Sequence, residues 1–379
     1  AFNAAGTQIL RGDYLEILHD QQQTGNRLDA TLDGQLGGLK NRFIVGLDWY
    51  RSHLVQGSNA PYGGASSVDP FNFDPGLFTS PVPTRSTRDA TLRTTAWFAE
   101  NALDLSRQWK LVAGLRSERM ALAQVNLTNG ASLGKQYQPL TGRLGAVWSP
   151  GSALSLYGQW ASGTDPLSGA LSLPGGGDKF DLTRGRQVEV GAKGALPALR
   201  GEWTLALYQI KKRNLLSRDA SNPAITQQIG QQSSTGLELA VAAEPLRGWT
   251  IDANAALLRA RYDDYQELVA GKLVSRSGNT PTGVPERAFN VWSAWRLAPQ
   301  WRLGLGLRHV GARQGNTANT TQLPAYTVWD AGLGYEPTRQ LQVHLSVKNL
   351  ANRDYALSGQ AGKSWLLGAP RTVMLTLRT

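Results

Sequence analysis

Hydrophobic and polar residues alternate one for one along this chain, in stretch after stretch. From Trp301, the residues Trp301, Leu303, Leu305 and Leu307 share one parity, while Arg302, Gly304, Gly306 and Arg308 share the other. The same pattern sets Leu341, Val343, Leu345 and Val347 against Gln342, His344, Ser346 and Lys348. It recurs at Leu154, Leu156, Gly158 and Trp160, and again at Trp109, Leu111, Ala113 and Leu115. A helix would scatter these apolar side chains around its circumference, whereas a strand collects them on one face. The pattern therefore predicts many two-faced β-strands.

Short connections punctuate the strands at Gly37-Gly38, Arg107-Gln108, Pro150-Gly151, Leu199-Arg200-Gly201, Leu246-Arg247-Gly248, Pro299-Gln300 and Thr338-Arg339. Between them lie longer, polar, Gly- and Pro-rich connections at about 56–87, 127–138, 164–181, 216–233, 263–286, 313–323 and 355–364. Tight turns at one end and long loops at the other are the layout of an outer-membrane barrel. Counting hairpins from Thr7 to Thr379 predicts an all-β fold, an antiparallel transmembrane β-barrel of about sixteen strands forming one unit over residues 1–379. Trp109, Trp148, Trp203, Trp249 and Trp301 each fall within a few residues of a short turn, so they are expected to ring the membrane–water boundary at that end.

Composition agrees with this picture. The chain has 42 Gly, 12 Trp and 11 Tyr against 2 Met and no Cys, which excludes disulfides and thiolate metal sites. Apolar residues make up 41% of it, yet no apolar run reaches the roughly 18–20 residues of a membrane helix. Ala1-Phe2-Asn3-Ala4-Ala5-Gly6 has no feature of a secretory leader, so the chain is read as mature, trimmed or incomplete. The net charge of +11 suits an anionic ligand or acidic lipopolysaccharide. Nucleic acid is not expected as a partner, because the Arg residues are dispersed through alternating strands rather than gathered in a stripe. Arg116, Arg302 and Arg308 mark the lumenal face, since Arg facing lipid at mid-bilayer costs ~2–4 kcal/mol. On this reading Leu305→Arg is disruptive, and Gly306→Arg is tolerated if the lumen has room.

No catalytic constellation is present, and the chain is not expected to be an enzyme. His19, His53, His309 and His344 are far apart in sequence, and His344 is expected in the lumen. Gly175-Gly176-Gly177 lacks the Lys and Ser/Thr of a phosphate loop. Candidate ligand contacts therefore come from the long loops. The 56–87 connection supplies Tyr62, Phe71, Phe73 and Arg85, and the others supply Arg184, Tyr262 and Arg313. Rings can cover the planar groups of a metal chelate, and guanidinium can offset its negative charge.

At the carboxyl end, Val347-Lys348-Asn349-Leu350-Ala351-Asn352-Arg353-Asp354-Tyr355 resembles the V-x-N-L … D-x-x-Y strand of TonB-dependent receptors. Gly368-Ala369-Pro370-Arg371 resembles the G-x-P-R entry to their last strand, a pattern strongest in the siderophore-receptor subgroup. Upstream, Trp97-Phe98-Ala99-Glu100 with Trp109-Lys110-Leu111 and Gly114-Leu115-Arg116, then Glu189-Val190-Gly191-Ala192-Lys193-Gly194, Thr235-Gly236-Leu237-Glu238-Leu239 and Pro285-Glu286-Arg287, resemble further segments of that family in order. Ala99-Glu100 replaces a usual Gln-Asp, Thr235 a common Arg, and Leu377-Arg378-Thr379 a terminal aromatic.

The resemblance implies a twenty-two-stranded parent barrel with an N-terminal plug, of which these residues would be the C-terminal barrel portion without the plug. It implies TonB-dependent uptake of a ferric siderophore by a monomer. Energy would come from the TonB-ExbB-ExbD complex through the N-terminal part, and the barrel would contact outer-membrane lipid and lipopolysaccharide. Iron would arrive already chelated, with no cofactor and no metal ligand from the protein. A sixteen-stranded passive porin is the alternative fold-level reading, and vitamin B12, ferric citrate or a glycan are alternative ligands. A soluble all-β binding protein would need polar outward faces, which the alternation opposes.

Overall fold

The computed structural model describes residues 2–72, 74–165, 180–218, 226–269, 272–338, 340–360 and 364–379. Phe73 and Gly175–Gly177 lie outside the described residues. A sixteen-stranded antiparallel sheet dominates, and a single 3₁₀ turn, Pro197–Leu199, is the only helical element among the described residues. Fifteen strands follow one another in the sheet in chain order. They are β1 (Ile17–Leu36), β2 (Leu39–Ser58), β3 (Arg85–Asp104), β4 (Trp109–Asn126), β5 (Leu140–Gly151), β6 (Leu154–Thr164), β7 (Arg184–Leu196) and β8 (Gly201–Arg218). The series continues with β9 (Thr226–Leu246), β10 (Trp249–Asp264), β11 (Arg287–Ala298), β12 (Trp301–Val310), β13 (Tyr326–Tyr335), β14 (Gln342–Lys348) and β15 (Thr372–Arg378).

The sixteenth strand, Ser132–Tyr137, pairs with the outer half of β4 and carries on the line of β5. Pro139 separates the two, because it has no N–H to donate to the ladder, and its carbonyl instead accepts from Glu118 N at 3.0 Å. The hairpin count from sequence thus gives the right number with one different member. The segment after Thr7 forms a strand, Ile9–Gly12, that pairs with Ala65–Val68 in a separate two-stranded sheet. Among the described residues no ladder joins β1 to β15, so the sheet curves without closing.

Directly opposed residues in an antiparallel ladder point to the same side, so the pairings fix the faces of every strand. One continuous row runs Leu303, Leu333, Leu345 and Leu375. Another runs Leu207, Leu237 and Leu257. This face is open, with Leu28 72%, Leu115 63% and Leu140 68% exposed. So much contiguous apolar surface is stable only against a non-aqueous medium. The Trp residues near the short turns lie on that face as expected. Trp109 stacks on Trp148 at 6.0 Å and Trp301 on Tyr335 at 4.3 Å, and Trp249 packs at a tilt against Trp295 at 5.5 Å. A second set on the same face, Trp49, Trp97, Trp160 and Trp329, sits toward the long loops. A chain with these two aromatic belts is expected to aggregate in plain buffer and to become monodisperse in detergent. Size-exclusion chromatography with and without detergent checks this, and a monodisperse β-rich species in plain buffer contradicts it.

The opposite face is the lumenal wall. Arg302, Gly304, Gly306 and Arg308 lie on it, as does Arg116, and the row Gly334–His344–Thr376 places His344 there as well. One expectation needs correction. A Cβ at Gly306 would lie 2.7 Å from the ring of Trp292, which reaches across from β11. The indole fills the space that the glycines leave, so Gly306→Arg must displace it and the site offers no free room.

Candidate functional site

The described parts of the long loops rise at the end of the sheet where the lumenal wall meets the outside. Loop 59–84 is built on Asn59, which is fully buried. Its side chain accepts from Glu16 N at 2.8 Å and donates to the Tyr14 carbonyl at 2.8 Å, while its own carbonyl accepts from Tyr62 N at 3.0 Å. Phe78 is held inside this loop by the edge of Tyr14 at 5.3 Å and by Arg11, 5.0 Å above its ring. Arg11 also donates to Ser66 Oγ and to the Pro75 carbonyl. The loop tip is left uncovered. Phe71 is 86% and Leu77 96% exposed, so two apolar side chains stand in water on an otherwise ordered platform.

The sequence-predicted residues divide by position. Phe71 is free at the tip, Tyr62 is half-buried at the base with a positive φ of 60°, and Arg85 is exposed where the loop re-enters β3. Arg85 makes no ion pair among the described residues. Arg184 shares a face with Val188 and Val190, so β7 directs it to the outer wall, away from the lumen.

Tyr262 and Arg313 are buried and serve the rim itself. Tyr262 packs on Tyr265 at 4.9 Å beneath Leu215. Arg313 donates to the carbonyls of Leu357 and Ala356 at 2.6 and 2.7 Å and lies 5.5 Å over Tyr326, tying loop 311–325 to the strand Ala356–Gln360. Loop 265–286 is tied to the same rim by Glu267. Its carboxylate, 2% exposed, accepts from Arg276 Nε at 2.7 Å and from Thr317 Oγ1 at 2.9 and 3.0 Å. Asn319 then exchanges two 2.8 Å hydrogen bonds with the backbone of Thr280. Sequence reasoning missed Glu267, Thr317 and Leu77; only the exposed apolar Leu77 in a polar loop carried a readable signal.

Below the rim the lumenal wall has an apolar shelf and then a charged band. Leu54, Ala90, Leu92, Met120, Leu122, Tyr137 and Leu182 form a buried cluster, with Phe180 drawn onto it because its carbonyl accepts from Lys135 Nζ at 2.8 Å and from Tyr137 Oη at 2.9 Å. Deeper, Arg116 pairs with Asp48 and with Glu118 at 2.7 Å, Arg143 pairs with Glu100, and Arg27 lies 4.4 Å over Phe98. Glu189 accepts from Tyr157 Oη at 2.8 Å and from Gln159 and Gln187. A cavity of about 490 Å³ opens there, lined by Glu100, Arg143, Tyr157, Gln159, Glu189 and Lys193. This wall is wet, ionic and internally paired, suited to contact with polar surfaces. Among the described residues no group of three His, Asp or Glu side chains is placed to hold a metal ion.

Two of the segments quoted for their resemblance, at 347–355 and 368–371, are joints of this framework. Asn349, 4% exposed with φ 50°, accepts from Arg353 N at 2.9 Å and donates to the carbonyls of Arg353 and Ala369, while its own N–H donates to Asp330 at 2.8 Å. Its side chain thus ties the turn after β14 to the entry of β15, and its backbone N–H reaches the middle of β13. The Tyr355 ring covers Gly368, where any Cβ would clash with it. Glycine there is a packing requirement.

Comparison with known proteins agrees with the architecture. The family described as TonB dependent receptor-like, beta-barrel, matches residues 2–350. The probable TonB-dependent siderophore receptor PiuA of Acinetobacter baumannii is 22% identical over 370 residues, covering 89% of this chain and 49% of that protein. The ferrioxamine B receptor of Salmonella typhimurium is 22% identical over 358 residues, covering 92% of this chain and 49% of that protein. The crystal structure of the siderophore receptor PiuA superposes with a TM-score of 0.84 at 21% identity, over 95% of this chain and 56% of that one. The chain spans about half the length of the curated relatives it matches. With strands, girdles, joints and a family match that agree, this chain belongs to the TonB dependent receptor-like β-barrel family of the outer membrane.

Proposed function

We propose that the chain is the C-terminal barrel portion of a receptor that captures a ferric siderophore at the cell surface and imports it by TonB-dependent transport. The observation that carries this reading is the mouth. Exposed Phe71 and Leu77, and Arg85, which makes no ion pair among the described residues, stand above a charged lumen, in a chain whose relatives are named as siderophore receptors. Phe71 and Tyr62 offer ring faces, and Arg85 offers charge to an anionic chelate. Arg313 and Tyr262 act by holding the rim in place. The receptor works as a monomer and makes or breaks no covalent bond, so it is a transporter. A plug and the contact with the TonB-ExbB-ExbD complex belong to sequence beyond these residues. Coverage of about half of each relative supports that division.

Removing residues 60–80 from the longer receptor is expected to weaken binding of ferrioxamine B or a ferric catecholate about thirtyfold, as two contacts of about 1 kcal/mol each are lost. Barrel assembly should persist, since surface loops tolerate shortening. Tryptophan quenching reads the affinity and heat-modifiable gel mobility reads assembly. Unchanged affinity would assign capture to other loops or to the plug. Solute flux through liposomes carrying the longer receptor, without TonB or the energised complex, would favour the passive-pore alternative.

A further inference from the structure

At the periplasmic end of the lumenal wall, strands β11 to β14 carry positive charge that neither the mouth nor the ionic band uses. Arg296 on β11 is directly opposed to Arg302 on β12, Arg302 to Gly334, and Gly334 to His344 on β14. Three basic side chains thus share one cross-strand row. Gly334 keeps the row open, since a Cβ there would lie 3.7 Å from His344 Nδ1 and 3.8 Å from Arg302 Cβ. The short turn after β9 adds Arg247, and all four side chains are exposed. Trp249, Trp295 and Trp301 flank the same level on the lipid face, so the row lies at the periplasmic lip. Arg247 and Arg296 make no ion pair among the described residues, and Arg302 meets Glu336 at 4.0 Å. Like charges directly opposed across a ladder weaken it, so folding does not account for Arg296 and Arg302. The band on β1 to β7 differs, because Arg116 and Arg143 are paired there with Asp48, Glu118 and Glu100.

A cavity of about 640 Å³ opens beside the row, lined by Arg247, Thr250, Arg296, Arg302 and Glu244 among others. The Glu244 carboxylate is turned to its own hairpin, where it accepts from Gly248 N at 2.7 Å and lies 3.7 Å from Arg200. The volume falls in the ordinary range of small-molecule sites, roughly 300–1,000 Å³. Three guanidinium groups around it offer forked donors to delocalised anionic oxygens, and offer nothing comparable to a neutral or cationic solute. A cleft lined by one sign of charge raises the local concentration of a counter-charged solute about tenfold or more. We infer that the periplasmic lip is a second binding site, an exit station for an anionic metal chelate, with Arg247, Arg296 and Arg302 as its contacts. The inference rests on the transport reading and adds that the cargo leaving the barrel is negatively charged.

The test is uptake of radioactive iron by cells in which the longer receptor is the sole route for the chelate supplied. A ferric catecholate and ferric citrate are the anionic probes, and ferrioxamine B is the cationic one. In R296Q/R302Q the maximal rate for the anionic chelate that the unaltered receptor imports is expected to fall about tenfold, with the half-saturating concentration unchanged, because capture at the mouth is untouched. R296K/R302K should restore most of that rate, and Arg186→Gln on the outer wall should change nothing. If R296Q/R302Q fails to assemble, Arg247→Gln, on a turn outside the ladder, should by itself lower the rate about threefold. Unchanged uptake in the assembled variant, or an equal fall in Arg186→Gln, would overturn the proposal. So would entry of a large hydrophilic antibiotic into cells carrying R296Q/R302Q, which would make the arginines a seat for carboxylates of the plug. A receptor that imports ferrioxamine B but neither anionic chelate would overturn it while leaving transport standing. Import of none of the three by the unaltered receptor would sink the transport reading itself, and this inference with it.

Discussion

Leu305→Arg is expected to abolish assembly of the barrel in lipid, whereas Ser346→Arg leaves it largely intact. Leu305 lies on β12 between Ser293 and Ala331, with Leu303 and Leu307 in phase along the strand, so its side chain points into the hydrocarbon. Placing a guanidinium there costs about 2–4 kcal/mol near the midplane. Ser346 carries the other parity, opposed to Gly332 on one side and Met374 on the other, and faces the lumenal wall that already accepts Arg302 and Arg308. The same charge added there stays in contact with water. The fraction of heat-modifiable species after refolding into lipid vesicles separates the two. Equal loss for both variants would mean that the faces are assigned the wrong way round. Gly306→Arg is a poor comparison despite its lumenal parity, because Trp292 occupies its space.

Glu267→Ala is expected to open the outer rim while leaving the strands folded. The Glu267 carboxylate is buried with Arg276 and Thr317, and the Arg276 side chain is itself only 17% exposed. Removing one member of a buried ion pair leaves the other charge uncompensated, at a cost of about 3–5 kcal/mol. The ion pair lies in loop 265–286 and outside the barrel ladder, so the cost falls on local opening of that loop against its remaining ties, among them Asn279 Nδ2 to the Thr317 carbonyl at 2.8 Å and Gly283 N to the Gln314 carbonyl at 2.9 Å. Tryptic cleavage after Lys272 or Arg276 should accelerate at least about a hundredfold, the factor that about 3 kcal/mol allows. Heat-modifiable mobility should stay unchanged. Unaltered cleavage kinetics would show that the hydrogen bonds between Asn319 and Thr280 suffice to hold the two loops together.

Much of this architecture was legible in the order of residues because its determinants are local. Period two at Trp301–Arg308 sorts lipid from lumen without any knowledge of neighbours, and the ladder kept every one of those assignments. The turn residues and the five Trp residues beside them were readable for the same reason. Arg184 could have been assigned correctly as well. It keeps the parity of Val188 and Val190, a signal that its place beside a long polar loop obscured.

Other features depend on partners far away in the chain. Arg313 and Tyr262 read as ligand contacts because loops usually expose their charged and aromatic residues. Their burial follows from Leu357 and Ala356, forty-odd residues away, and from Leu215. Trp292 filling the lumenal groove over Gly304 and Gly306 requires the register of β11 against β12.

By itself, then, the sequence determined the strand faces, the positions of the turns and the medium, since alternation on a pleated strand is a property of each segment alone. The tertiary structure decided which cations are free, which loops brace one another, and that Arg296, Arg302 and His344 share one cross-strand row. Those outcomes depend on cross-strand register, and register pairs residues whose separation in the chain carries no local signature.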